Sequence, residues 1–264
     1  MQVIPVDEVP APAFGLTERV PPHTGEWHTH ARHQLLYGAV GTLELEAGDA
    51  TWALPPVRAA WIGAGVRHRT RSGRPVELRA IYFDPEFPVP APTLELGVFA
   101  VDELARGMIL HAMRWGPERD PADHVANRFF ATLLDGARGW SAQLAAFRLP
   151  RPISDDLGRA TAYIRDDLAG VTAKAAARAG GMSERTLLRR FVAETGGTFR
   201  DYLTAARMVR AMDLLLDPRS RVTDVAGDLG YDSLAAFSRA FRAFVGETPR
   251  AFRARGAEPA AVYT

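Results

Sequence analysis

Two histidines one residue apart, His28 and His30, carry the clearest chemistry in this chain. On an extended segment side chains alternate, so residues i and i+2 leave the same face and these two imidazoles stand side by side. Neutral imidazoles converging in this way are ligands for a divalent metal ion. The chain has no cysteine, so disulfides and thiolate sites are excluded and any metal would rest on His, carboxylate or amide donors. His23, His111 and His124 have no partner at a useful spacing and are given no role.

The elements that must position these residues follow from the apolar pattern. From Pro21 to Phe87 short apolar runs, among them Leu35 to Tyr37, Thr42 to Leu45, Thr51 to Leu54 and Leu78 to Phe83, are separated by Gly, Asp and Pro. That pattern predicts an antiparallel β sandwich or small barrel. Trp27, Leu36, Trp52 and Trp61 are expected in its core. Prolines cluster between Pro85 and Pro92, and the spacing then turns helical. Val101, Leu104, Met108 and Ala112, then Phe129, Ala131, Leu133 and Leu134, predict two helices broken at Gly116-Pro117. Leu149-Pro150-Arg151-Pro152 reads as a stiff linker. The expected organisation is a barrel over 1–90, a helical dimerisation or linker region over 91–150, and a further domain over 151–264.

That last domain repeats itself once. A shift of 50 sets Ser183 on Ser233, Leu187 on Phe237, Arg189 on Arg239, Phe191 on Phe241 and Gly196 on Gly246, whereas a shift of 49 sets Ala177 on Ala226 and Gly181 on Gly230. An extra residue is tolerated in a turn and would rotate every side chain of a helix, so each copy reads as helix, turn, helix. The units span about 171–194 and 222–244. Ser154, Ser183 and Thr198 stand where helix starts need a capping oxygen, and Gly196 and Gly246 stand at helix ends. Between the copies Tyr202, Leu203, Ala206, Val209 and Leu216 predict a long connecting helix ending before Pro218.

Charge agrees with a phosphate-binding role for the repeat. Before Arg151 there are 14 basic and 17 acidic residues, and from there on 18 and 14. Lys174 is the one lysine among 32 basic residues, and because the arginine bias spans both halves it reflects coding bias more than function. No stretch of about 18 apolar residues occurs, and a cytoplasmic protein without a membrane partner is expected.

The run GMSERTLLRRFVAETGGTFRDYL, followed by DVAGDLGYDSLAAFSRAFRAFVGETPRAFR, resembles the DNA-binding domain of the AraC/XylS family of transcription regulators, over residues 154 to 253. The resemblance implies that each unit places one recognition helix in the major groove of double-stranded DNA, the two reading adjacent segments. It assigns the contacting positions to Ser183, Glu184, Arg185, Leu188 and Arg189 in the first unit and to Leu234, Ala235, Ser238 and Arg239 in the second. Arginine at such a position can bind guanine through two hydrogen bonds. Leu234, Ala235 and Ala236 replace residues that are usually polar in the family, so specificity is expected to rest on the first unit while the second clamps. Ala173 and Ala176 stand where the family usually has larger apolar residues, so loose packing of the first unit's leading helix is expected.

In the other half Gly25-Glu26-Trp27-His28-Thr29-His30, then Gln34 and Gly41, resembles the first motif of cupins, and Gly65-Val66-Arg67-His68 the end of the second. Cupins are small β barrels that hold a metal or ligand inside. The resemblance adds His68 and the weak oxygen donor Gln34 to His28 and His30, with Gln34 at the usual Glu position. His33, next to Gln34, is expected to point the opposite way and to lie at the surface.

Together these readings describe an α+β chain, an antiparallel barrel of the cupin or jelly-roll kind followed by an all-α double helix-turn-helix domain. The expected function is sequence-specific transcription regulation, activation in most of the family, under a small-molecule or metal effector. A homodimer formed by the helices near 100 to 140 and contact with RNA polymerase are the partners implied, and no catalytic residue is assigned. A metal-dependent cupin enzyme fused to a DNA-binding module, and a regulator without effector, are the alternatives.

Overall fold

The computed structural model describes residues 4–48, 50–141, 148–150, 152–217 and 219–256. These fall into two compact units, one built from residues up to 47 and from 54 to 141, the other from 48 to 53 and from 148 onward.

The strands are β1 (Ala13–Val20), β2 (His23–Thr24), β3 (His33–Val40), β4 (Leu43–Ala47), β5 (Ala50–Leu54), β6 (Arg58–Ile62), β7 (His68–Ser72), β8 (Val76–Phe83), β9 (Leu96–Ala100) and β10 (Arg148–Pro150). In the first unit β1, β8, β3, β6 and β9 form one antiparallel sheet in that order, and β4, β7 and β2 belong to a second. This is the antiparallel jelly-roll arrangement expected for the N-terminal half.

The middle strands of the first sheet are buried on both faces. Leu35 and Tyr37 of β3 share one face with Ala59, Trp61, Ile81, Phe83 and Phe99, all fully buried in one apolar cluster. Helices α1 (Glu103–Ala112) and α2 (His124–Ser141) cover that face with Ile109, Phe130, Leu133 and Leu134. Gln34 and Leu36 alternate to the opposite face, where Gln34 is in register with Ile62 and Tyr82. Double burial is why β6 and β8 read as apolar runs and not as alternation. Asp102 caps α1 through the Ala105 N–H at 2.8 Å, and Asp123 accepts from Val125 and Ala126 at the start of α2.

Two segments differ from the sequence reading. The region taken as helical from residue 91 opens with β9, which pairs with β6 at the sheet edge. Leu149 and Pro150, read as linker, lie in β10, which pairs with β5 in the second unit. Proline fits there because an edge strand does not need its N–H.

The second unit continues with α3 (Asp155–Asp166), α4 (Ala173–Ala179), α5 (Glu184–Thr195), α6 (Phe199–Leu215), α7 (Val222–Asp228), α8 (Leu234–Val245) and α9 (Pro249–Gly256). Both repeat registers are preserved, since α4 and α7 match at a shift of 49 and α5 and α8 at 50. Gly181 and Gly230 both adopt left-handed backbone, with φ of 71° and 73°, so the extra residue of the second copy lies after the glycine, between Tyr231 and Ser233. Ser183 and Ser233 cap α5 and α8, and Thr198 with Asp201 forms a full capping box on α6. Phe191 packs against Phe199 and Tyr202, and Phe237 against Phe241, which in turn meets Phe252.

The leading helix α4 packs closely on α3 around Ala176 and its C-terminal end, while Ala173 is half-buried. Ala176 is fully buried, and a Cβ on Gly180 would lie 2.7 Å from the Asp156 carbonyl oxygen and 3.2 Å from the Ala160 Cβ. Small residues at this contact let α3 approach. The start of α3 is tied to the end of α5. The Glu194 carboxylate accepts from the Ile153 and Ser154 N–H groups at 2.9 and 2.8 Å and from the Ser154 hydroxyl at 2.8 Å. Burial pushes this carboxyl up, but the three hydrogen bonds together outweigh it and leave the group below the usual range.

Gly15 of β1 tests the packing of the first unit. Its N–H donates to the Trp115 carbonyl at 2.8 Å, and an added Cβ would meet the Ala112 carbonyl oxygen and the Met113 Cε, each at 2.7 Å. Gly15→Ala is predicted to destabilise this unit by about 1–3 kcal/mol, measured by urea unfolding followed through tryptophan fluorescence.

Candidate functional site

The exposed face of α5 is built by helical spacing. Arg185, Leu188, Arg189 and Val192 recur at i, i+3, i+4 and i+7 and are all exposed, while Leu187 and Phe191 point inward and are fully buried. Ser183 spends its hydroxyl on the cap, accepting from the Thr186 N–H at 3.2 Å, and Glu184 stands exposed in the first turn. Among the described residues no carboxylate pairs with Arg185 or Arg189, whereas their neighbour Arg190 is committed to Asp156 at 3.1 Å. The two unpaired guanidiniums are therefore available to phosphate or a base edge, and Arg190 has a structural task.

On α8, Leu234 is 44% exposed and Ala235 is exposed, while Ser238 is half-buried. Arg239 is exposed and, among the described residues, makes no ion pair, so its side chain is as available as those of α5. Sequence reading missed Val192, 56% exposed on the face of Leu188. Its spacing from Arg185 and Leu188 was the signal that could have found it.

In the first unit His28, His30 and His68 come together, with one ring nitrogen of each lying within 4.8 Å of the others. His28 and His68 form a hydrogen-bonded antiparallel pair, each N–H donating to the other's carbonyl at 3.0 Å, which puts both rings on one face with centroids 4.4 Å apart. His30 is not on a strand, so alternation does not place it. Its carbonyl accepts from the Gly65 N–H at 2.8 Å, and that loop contact brings its ring to 5.1 Å from that of His68. His28 is exposed, while His30 and His68 are buried.

The hydrogen bonds fix the tautomers. Nδ1 of His28, His30 and His68 lies 3.0, 2.6 and 2.9 Å from the carbonyl oxygens of Glu26, Arg32 and Val66. A carbonyl can only accept, so each Nδ1 carries the proton and each neutral ring keeps its lone pair on Nε2. Burial drives His30 and His68 below the usual imidazole range, His68 to about 4, against the smaller opposing effect of the carbonyl bonds. Gln34 adds an oxygen 3.3 Å from His30 Nε2, and its amide nitrogen donates to the Tyr82 hydroxyl at 3.0 Å. In this orientation two lone pairs face each other. A turned amide, a protonated ring or a cation between them would each relieve this contact. The four donors, three imidazole nitrogens and an amide oxygen, suit a first-row divalent metal, and the carbonyl partners are the kind of outer contacts that orient ligating histidines.

His33 leaves the opposite face of β3, as alternation requires, but it is not a surface residue. Its ring stacks on Trp61 at 5.3 Å and its Nδ1 accepts from the Ala64 N–H at 3.1 Å, so it is half-buried. Trp27 is likewise half-buried, held between the Arg67 and Arg69 guanidiniums at 5.1 and 4.9 Å.

Comparison with known proteins meets this geometry in both units. A family model described as an AraC-like ligand binding domain matches residues 11–89, and one described as a helix-turn-helix domain matches 176–255. The HTH-type transcriptional regulator NimR of Escherichia coli K12 is 30% identical over 239 residues, 88% of this chain and 83% of that protein. The chain belongs to the AraC-type transcriptional regulators. This regulator is also similar to the transcriptional activator NphR of Rhodococcus, 37% identical over 102 residues, 38% of this chain and 30% of that one. Among solved structures the DNA-binding domain of AdpA, in complex with a target DNA, is 33% identical over 39% of this chain and 93% of that chain, with a TM-score of 0.36. As a family member the chain is a DNA-binding regulator with a ligand-binding domain, not an enzyme. No helix among the described residues is long and apolar enough to cross a membrane.

The lowered His68 makes stability depend on pH. An unfolded imidazole titrates near 6.5 and the folded one near 4, so between these values the unfolded chain holds more protons. Stability is therefore complete above about pH 6.5 and falls as the pH drops toward 4, by about 3 kcal/mol from this residue. Urea unfolding between pH 7 and 4 in the presence of a chelator should show that loss, and His68→Gln should flatten it.

Proposed function

We propose that this regulator receives its signal at the His28, His30 and His68 cluster by binding a divalent metal ion, with the Gln34 oxygen as a weak fourth donor. The observation that carries the proposal is that one ring nitrogen of each of the three histidines lies within 4.8 Å of the others, while a backbone carbonyl at each Nδ1 leaves the Nε2 lone pair free. A bound metal would supply Lewis acidity and a positive charge. The donors are all neutral and leave that charge uncompensated, which favours an anionic small molecule as co-ligand. No carboxylate belongs to the cluster among the described residues, so it lacks the base that a metal-dependent enzyme would use.

In this reading the two recognition helices address adjacent major-groove segments, α5 reading bases with Arg185 and Arg189 and α8 clamping through Leu234, Ala235, Ser238 and Arg239. Leu104 on α1 and Val125 on α2, 69% and 51% exposed, support a homodimer formed through these helices. The effector acts by binding one of two states more tightly. Activation, with RNA polymerase as partner, is favoured by the family resemblance and by the named role of the Rhodococcus relative.

Metal analysis of protein purified without a metal-affinity step is the direct test. Near-stoichiometric metal, lost in His28→Ala and His68→Ala, is expected, and no metal after incubation with divalent ions would sink the metal reading in favour of an organic effector. For the DNA-binding half, Arg189→Ala should cost about 1–3 kcal/mol in affinity for a duplex selected from a random library. It should also relax the preference at one base pair, and an unchanged preference would remove Arg189 from base reading.

A further inference from the structure

In each helix-turn-helix unit one arginine from the preceding helix reaches the glycine turn, but the two arginines are used differently. Arg159 of α3 stays within the first unit, its Nη2 donating to the Gly180 carbonyl at 3.3 Å and to Asp156 at 2.6 Å. Arg207 of α6 lies over the Tyr231 ring, 5.5 Å from its centroid, beside the second turn. Its donors go elsewhere. Nε donates to the Leu168 carbonyl at 2.9 Å and Nη2 to the Ala169 carbonyl at 3.3 Å, both in the segment that leads from α3 into α4. One guanidinium thus touches the turn of the second unit and the entry of the first. Gly230 completes the junction, because a Cβ there would lie 2.5 Å from the Ala169 carbonyl oxygen and 2.9 Å from Arg207 Nη2. With φ of 73° and no side chain, Gly230 lets the second turn close on the first unit's backbone.

We infer that Arg207 is the positioning residue that fixes the offset between the two recognition helices, and so sets the spacing of the two DNA segments this regulator reads. The guanidinium suits the task because its planar fork holds two carbonyls at once while its face stacks on an aromatic ring. Nothing in this role requires Arg207 to touch DNA. The inference rests on the two-segment reading proposed above, and its test separates the two.

The test uses the full chain and a duplex selected by it from a random library, together with copies of that duplex carrying one base pair inserted or removed between the two contacted segments. One base pair displaces the second segment by about 3.4 Å and about a tenth of a turn. The wild-type chain is expected to lose about tenfold or more in affinity on either altered duplex, the equivalent of losing one good base contact. Arg207→Ala is expected to bind the three duplexes within about threefold of one another, with each unit's own base preferences unchanged, since the helices remain but their offset is no longer held. A merely structural role would weaken binding to all three and keep the discrimination between them, which would overturn the inference. If the wild-type chain itself ignores spacing, the two-segment reading fails and the inference falls with it. Should Arg207→Ala not fold, as judged by circular dichroism, Tyr231→Leu removes the ring beneath the guanidinium and is judged by the same criterion, lost spacing discrimination supporting the inference and retained discrimination overturning it.

Discussion

Register is the constraint on which both halves of this regulator depend. Along β3 a slip of one residue would carry Gln34 from beside His30 into the apolar cluster and expose Leu35 and Tyr37 to the site face. The cost of burying an amide among Trp61, Phe83 and Phe130 forbids it. In the helices a slip of one residue would rotate the face by about 100°, turning Leu187 and Phe191 away from the core and, in one direction, carrying Arg190 into Phe191's place. The repeat registers hold because the one extra residue of the second copy sits in its turn, where no face depends on it.

Much of the helical half was legible in the sequence because its signals are local. Ser154, Ser183 and Thr198 start helices and Gly196 and Gly246 end them through contacts that span a few residues. The strands were harder. β9 and β10 are short and take their identity from pairing with β6 and β5, partners about 40 to 100 residues away. Ala173 and Ala176 looked like missing core when considered on α4 alone. Gly180 and Ala160 show that the neighbouring helix comes close at the end of α4.

The histidine cluster was legible in its membership and not in its cause. Alternation suggested that His28 and His30 converge, yet His30 is placed by the Gly65 contact and by the Arg32 carbonyl, both outside regular structure. The protonation pattern is a tertiary property, because each tautomer is set by a carbonyl that the fold brings within reach. His33 shows the opposite limit, since its face was correct but its burial came from Trp61, across the sheet.

The Glu194 clamp bears on how such regulators exchange parts. A hybrid that joins a foreign sensor to this DNA-binding half must keep Ser154 and avoid proline at 153, because two backbone amides and the Ser154 hydroxyl hold the Glu194 carboxylate at the end of α5. A junction that replaced Ser154 would take the hydroxyl donor from Glu194 and the cap from α3 together. The working boundary of the module is therefore drawn by a hydrogen bond to the backbone, upstream of the first residue of its first helix.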